Sequence, residues 1–267
     1  MKRISRFSLV SLFLFASLQL IAQPGQTNAD SVQSNRRSGK SASSKNFVKL
    51  NLTGLPLKNY SLQYERVLNR KFSFAVSFRI MPETSIPFKN RILKIVGDDD
   101  PDTKKAIEDF RLSNFAITPE LRLYLSKKGY GRGFYIAPFY RYASFKTNHM
   151  VFTYEDNANV ESEIVLSGKL TSNTGGLLFG AQWLLGRRVC LDWWILGPHF
   201  GSGNGDFVGT TSQPMDQSEQ ADLRQELEDL DIPFTDKTVT VNANGASMKL
   251  SGPWGGIRAG LSLGIRF

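Results

Sequence analysis

The last stretch of the chain alternates more strictly than any other. Ile257, Ala259, Leu261, Leu263, Ile265 and Phe267 share one parity, and Arg258, Gly260, Ser262, Gly264 and Arg266 share the other. Successive side chains of a β-strand point to opposite faces, so this segment carries one lipid-like face and one polar or tiny face. A helix, with its period of about 3.6 residues, cannot separate the two sets. The pattern recurs at Lys71 to Ile80, where Phe72, Phe74, Val76, Phe78 and Ile80 oppose Ser73, Ala75, Ser77 and Arg79. The chain is therefore read as an all-β protein built on a sheet with two chemically distinct faces.

Composition agrees. The 267 residues include 19 Phe, 8 Tyr and 23 Gly, the loading of a β protein rather than a helical bundle, and the length suits one domain. With Cys190 the single cysteine, no internal disulfide can staple the fold, and His149 and His199 alone are too few for a common zinc site. No cofactor is expected. The formal charge is +9 and falls to +6 once Lys2, Arg3 and Arg6 are removed, too mild a balance to imply nucleic acid.

Those three cations precede an apolar run from Phe7 to Leu20 that is too short to span a bilayer. Residues 1–22 are thus expected to be a cleaved signal peptide. Residues 23–45, rich in Ser, Asn, Gln and Gly, are expected to form a disordered periplasmic leader. From Asn46 to Phe267 no apolar run approaches 18 residues, so a membrane protein here can only be a barrel.

The alternation predicts eight antiparallel strands: 46–53, 58–67, 71–80, 114–125, 134–145, 175–185, 188–198 and 255–267. Most have the ~9–11 residues that a tilted strand needs to cross a bilayer. Pro119 and Pro138 fall inside strands, where bulges or register irregularities are expected. Short turns at Asn69-Arg70, 126–132 and Gly186-Arg187 alternate with long connections at 81–113, 146–174 and 200–254, with only the brief 54–57 breaking the rule. The expectation is an up-and-down transmembrane β-barrel of the cell outer membrane, with short periplasmic turns and longer outer loops.

Two resemblances point the same way. The terminal aromatic Phe267 on an alternating strand resembles the C-terminal signature that the barrel-assembly machinery reads in outer-membrane proteins. Asn59 to Arg66, the turn Leu68 to Lys71, and Arg187 to Trp194 with Gly197 to His199 resemble segments of small outer-membrane barrels from Bacteroidota, a family of unknown function. That resemblance covers most of 46–267 and implies a fold and a location, with no chemistry attached.

By parity, Lys49, Glu65, Arg79, Glu120, Arg122, Arg141, Asp192 and Arg258 face the barrel interior. An eight-stranded lumen is just wide enough for side chains to fill, so these charges are expected to pair and plug it, the alternative being a narrow pore. The carboxylates of 97–102 read as the start of a short helix through Phe110, with Asp100 capping ahead of Pro101, rather than as a calcium loop. Residues 216–230 read as an acidic amphipathic helix, with Leu223, Leu227 and Leu230 capping the barrel mouth. His149 with Ser144 and Glu155 is the one constellation resembling a lipid A-modifying site, but it lacks a nucleophile elbow, and Gly201 to Gly205 reads as a flexible loop. Trp183, Trp193, Trp194 and Trp254, with Tyr60, Tyr64, Tyr130, Tyr140 and Tyr142, suit interfacial girdles.

The expected role is structural or surface-interacting, without catalysis, with outer-membrane lipid, the assembly machinery and a possible surface ligand at the outer loops as partners. A soluble lipocalin-like barrel is the competing fold. It requires the reverse arrangement, with Phe72, Phe74, Val76 and Phe78 lining an apolar cavity.

Overall fold

The computed structural model describes residues 45–85, 89–90, 93, 107–108, 110–155 and 161–267; the expected signal peptide and almost all of the expected leader lie outside them. Among the described residues, nine antiparallel strands form one sheet: β1 (Asn46–Asn51), β2 (Tyr60–Val67), β3 (Phe72–Thr84), β4 (Arg111–Tyr124), β5 (Gly133–Glu155), β6 (Glu161–Leu185), β7 (Val189–Thr211), β8 (Asp236–Asn242) and β9 (Gly245–Arg266). A helix, α1 (Gln217–Asp229), separates β7 from β8. Each of β1 to β7 pairs with its successor and β7 pairs with β9. β9 returns to β1 from Phe47↔Arg266 to Asn51↔Ser262, and this closes the sheet into a ring. The strand beyond the expected eight, β8, pairs with the other end of β9, from Asp236↔Ser251 to Asn242↔Gly245.

Closure satisfies backbone groups that an open sheet would leave unpaired at its edges. Asn46 and Phe267 exchange backbone hydrogen bonds of 3.1 and 2.9 Å beside the short turns after β2, β4 and β6. Neighbouring turns are tied as well: Tyr130 N–H donates to the Arg70 carbonyl at 2.8 Å, and the Arg70 guanidinium donates to the Lys127 carbonyl at 2.6 Å.

Several strands run much further than the alternation suggests. β5, β6, β7 and β9 have 23, 25, 23 and 22 residues, so the connections expected at 146–174 and 200–254 are largely paired strand. Gly201 to Gly205, read as a flexible loop, instead pairs with Thr174 to Leu170 on β6 and with Trp254 to Leu250 on β9. Ladder bonds come from the backbone and need no apolar face, so strands continue where side-chain alternation has ceased.

The prolines also behave differently from expectation. Pro138 pairs with Leu177 in unbroken register. Pro119 pairs with Val76, and on its β5 side the ladder is interrupted but resumes in the same register. A proline removes one donor without adding a residue, so it need not shift a register. The shifts fall elsewhere, and the consequential one lies in β7, which between Trp194 and Gly197 carries one more residue than β6 or β9 beside it.

Helix α1 begins at a capping box in which Asp216 and Glu219 satisfy each other's backbone N–H groups. It packs on β8, and none of its residues is fully buried. Lys237 on β8 closes its far end by donating to the carbonyls of Leu227, Glu228 and Leu230. Among the described residues, no helix is long and apolar enough to cross a membrane.

Candidate functional site

The face question is decided by burial. Phe72, Phe74, Phe78, Leu62, Leu263 and Ile265 are exposed on the outside of the ring, whereas Lys49, Glu65, Arg122 and Asp192 are fully buried inside it. The lumen is therefore polar and the outer wall apolar, opposite to what a lipocalin-like cavity needs. Phe267 lies on the exposed outer wall.

The outer apolar surface is also bounded. On β6 it holds Leu177, Phe179, Trp183 and Leu185; on β7 it holds Val189, Trp193, Leu196 and Phe200; on β9 it runs from Ile257 to Ile265. Beyond it the exposed positions are mostly polar, with Lys169 and Asn173 on β6, Ser202, Asn204 and Asp206 on β7, and Lys249 and Ser251 on β9, although Val208 on β7 and Pro253 on β9 are exposed there as well. Tyr60, Tyr64, Tyr130, Tyr140, Trp183 and Trp193 are exposed as expected for girdles. Trp194 and Trp254 are not: Trp194 is buried in the lumen and Trp254 is half-buried, its ring tilted against that of Phe145 with centroids 5.8 Å apart.

Inside the ring, six of the eight expected interior charges form one network. Lys49 on β1 donates to Glu65 on β2, to Gln182 on β6 at 2.5 Å and to Asp192 on β7 at 2.7 Å. Arg122 on β4 contacts Asp192 at 2.7 Å, Glu65 at 3.2 Å and Gln63 at 2.9 Å, and it clamps Glu120 through Nε at 2.7 Å and Nη2 at 2.5 Å. Arg258 on β9 joins from one side through Glu120 at 3.1 Å. Three cations thus meet three carboxylates from five strands.

Neutral groups complete the coordination. Tyr124 donates to Glu65 at 2.7 Å, Tyr135 to Asp192 at 2.8 Å and Gln63 to Ser77 at 2.9 Å, while Ser73 also donates to Glu65. Gly180 makes room for this arrangement, because a Cβ there would lie 2.4 Å from the Tyr135 hydroxyl. Buried ions survive only when paired and fully hydrogen-bonded, and here each carboxylate has at least two partners. Towards the short turns the lumen ends in Phe47, Val67 and Cys190 with Leu184 packed against them.

The other two expected charges lie apart. Arg79 on β3 and Arg141 on β5 have no acidic partner among the described residues; Arg141 donates to the Thr118 hydroxyl at 3.2 Å. With Arg258 and His199 they line a small cavity open at one end, with Phe145 and Trp254 among its apolar walls. Arg258 stacks over Phe139 at 4.5 Å and over Trp194 at 4.9 Å.

His199 escapes a parity reading because of the extra residue in β7. Asp192 and Trp194 face inward at even positions, and past the insertion the inward set becomes odd, beginning at Gly197. His199 then sits against Phe139 at 6.0 Å and beside Gly256, where a Cβ would come within 3.0 Å of the imidazole Nε2. Gln63, Tyr124 and Tyr135 were reachable from sequence, since they share parity with named charges on their own strands, whereas Gln182 lies on β6, where no charge was named.

Among the described residues, no group of His, Cys, Asp and Glu could hold a metal ion. The carboxylates of 97–102 and the side chains of His149 and Glu155 lie outside the described residues. Comparison with protein-family models, with curated proteins and with solved structures finds no match.

Proposed function

We propose that this chain is an outer-membrane β-barrel with a structural or surface-interaction role, whose lumen is sealed by its own side chains. Eight strands, β1 to β7 and β9, cross the membrane, and β8 with α1 lies outside it. The observation carrying this reading is the bounded apolar belt around a charged interior: on β6, β7 and β9 it covers about 9–12 residues, the length of a tilted crossing strand. A water-exposed ring would leave this surface as an unfavourable patch far beyond the few hundred Å2 usual for a soluble monomer.

Residues 1–22 then serve as the export signal and Phe267 as a contact for the assembly machinery. The short turns face the periplasm, and the polar continuations of β5, β6, β7 and β9 stand above the outer surface to meet surface ligands. The buried network argues against a pore, because its members bond across the lumen.

Cell fractionation with heat-modifiable migration in detergent gels tests the reading. A heat-shifted band in the outer-membrane fraction is expected. A soluble band whose migration is independent of heating would overturn it.

A further inference from the structure

The lumen is electrically divided. Its lower network balances three cations against three carboxylates, whereas the cavity above adds Arg79 and Arg141 with no carboxylate to meet them among the described residues. Two further buried groups there are left without hydrogen-bond partners: Nε of Arg79 and Nδ1 of His199. Arg258, on the boundary, has its charge engaged below by Glu120 and its faces covered by Phe139 and Trp194.

An interior designed only to be filled would not gather like charges in this way. Two uncompensated guanidiniums repel each other and the third, and each retains several N–H donors with fixed forked geometry. That geometry matches the oxygens of a tetrahedral oxyanion, which can take two parallel hydrogen bonds from one guanidinium. The flanking aromatic walls exclude water on one side and strengthen any charge–charge contact made there.

We infer that the cavity lined by Arg79, Arg141, Arg258 and His199 is a binding site for a small oxyanion of the phosphate or sulfate class. The anion supplies the charge that the described residues lack, with Arg79 and Arg141 as its principal donors and His199 as a further polar contact. The ligand is either the inorganic ion or the terminal phosphate of a larger molecule entering from the open mouth. The site depends on the lumen alone and stands whether or not the outer wall meets lipid.

The test uses the full mature chain in an uncharged detergent at low ionic strength, titrated calorimetrically with inorganic phosphate, with sulfate and a soluble phosphate monoester as parallel arms and chloride as the control. Saturable one-to-one binding of phosphate or sulfate in preference to chloride is expected. Saturation by inorganic phosphate assigns the free ion, and tighter binding of the monoester assigns the esterified form. R79Q and R141Q should each weaken binding about tenfold, the loss of a charge-assisted contact. The double variant should unfold at a higher temperature than the parent without phosphate, because repulsion is relieved, and should lose the thermal shift that phosphate gives the parent. If the double variant does not fold, R79Q alone carries the comparison, with heat-shifted migration as the check on folding. Phosphate and sulfate binding no better than chloride, or R79Q binding phosphate as tightly as the parent, would overturn the inference.

Discussion

Asp192 illustrates what a single residue does in this lumen. Its carboxylate accepts from Lys49, Arg122, Tyr135 and Trp194, so it joins β1, β4 and β5 to β7. Asp192→Asn keeps the volume but removes the charge that two buried cations share. Breaking a buried pair by deleting one partner costs about 3–5 kcal/mol, because the remaining charge has no solvent to return to. The expected outcome is a loss of that order in urea-unfolding free energy, with Lys49→Met losing a comparable amount. The double variant D192N/K49M should lose less than the sum of the two, since each substitution removes a group that the other leaves unpaired. Additive losses would mean that the two residues act independently. Parity alone exposed both ends of this contact, because β1 and the first half of β7 keep a strict period of two. It could not expose His199, since the residue that reverses the parity of β7 falls within Trp194 to Gly197, and parity counting carries straight through the Gly197-Pro198 pair that marks the irregularity.

At the level of the element, the strand ends legible from sequence are the limits of the apolar belt rather than of the strands. The expected segments 175–185 and 188–198 coincide with outward apolar rows, whereas β6 and β7 continue to Glu161 and Thr211 through Gly, Ser, Thr and Asn. With polar or small residues on both faces the period-two signal disappears, and Gly-Ser-Gly-Asn-Gly resembles a loop although its backbone is paired on both sides. Helix α1 was legible because leucine spacing is local, but its packing partner β8 was not. Its stability carries one electrostatic flaw: partial burial and the neighbouring Asp222 carboxylate one turn earlier raise the pKa of Glu226 above its ordinary value. A carboxyl whose folded pKa is raised favours the protonated form, so its contribution to stability is best at low pH and is lost as pH rises through the raised value. Glu226→Gln should therefore increase hydrogen-exchange protection of Gln217–Asp229 at pH 7, with a gain that shrinks as pH falls and Glu226 itself becomes protonated. A gain independent of pH would assign the effect to helix propensity instead.

At the level of the whole molecule, the decisive property is the contrast in chemistry along the height of one continuous wall. On β9 the outward row begins as Ser247, Lys249, Ser251 and Pro253 and becomes Ile257, Leu261, Leu263 and Ile265 without any break in its pairing to β7 beyond a single register shift. Backbone geometry is nearly uniform along this length, so the change in side chains divides the wall into an apolar and a polar part. If the surroundings of the lower part are lipid, an arginine there must draw its charge through the apolar layer. At the bilayer midplane this costs about 2–4 kcal/mol, falling towards zero at the interfaces. Leu261→Arg, at the middle of the β9 belt, should lose stability of that order in phospholipid vesicles. Ser202→Arg, on the exposed polar continuation of β7, should be close to neutral. Both positions face outward and neither touches the internal network, so the comparison isolates the environment from the packing of the lumen. Equal and small effects at the two positions would place the entire wall in water and remove the basis for a membrane-spanning barrel, while leaving the ring closure and the charged interior unchanged.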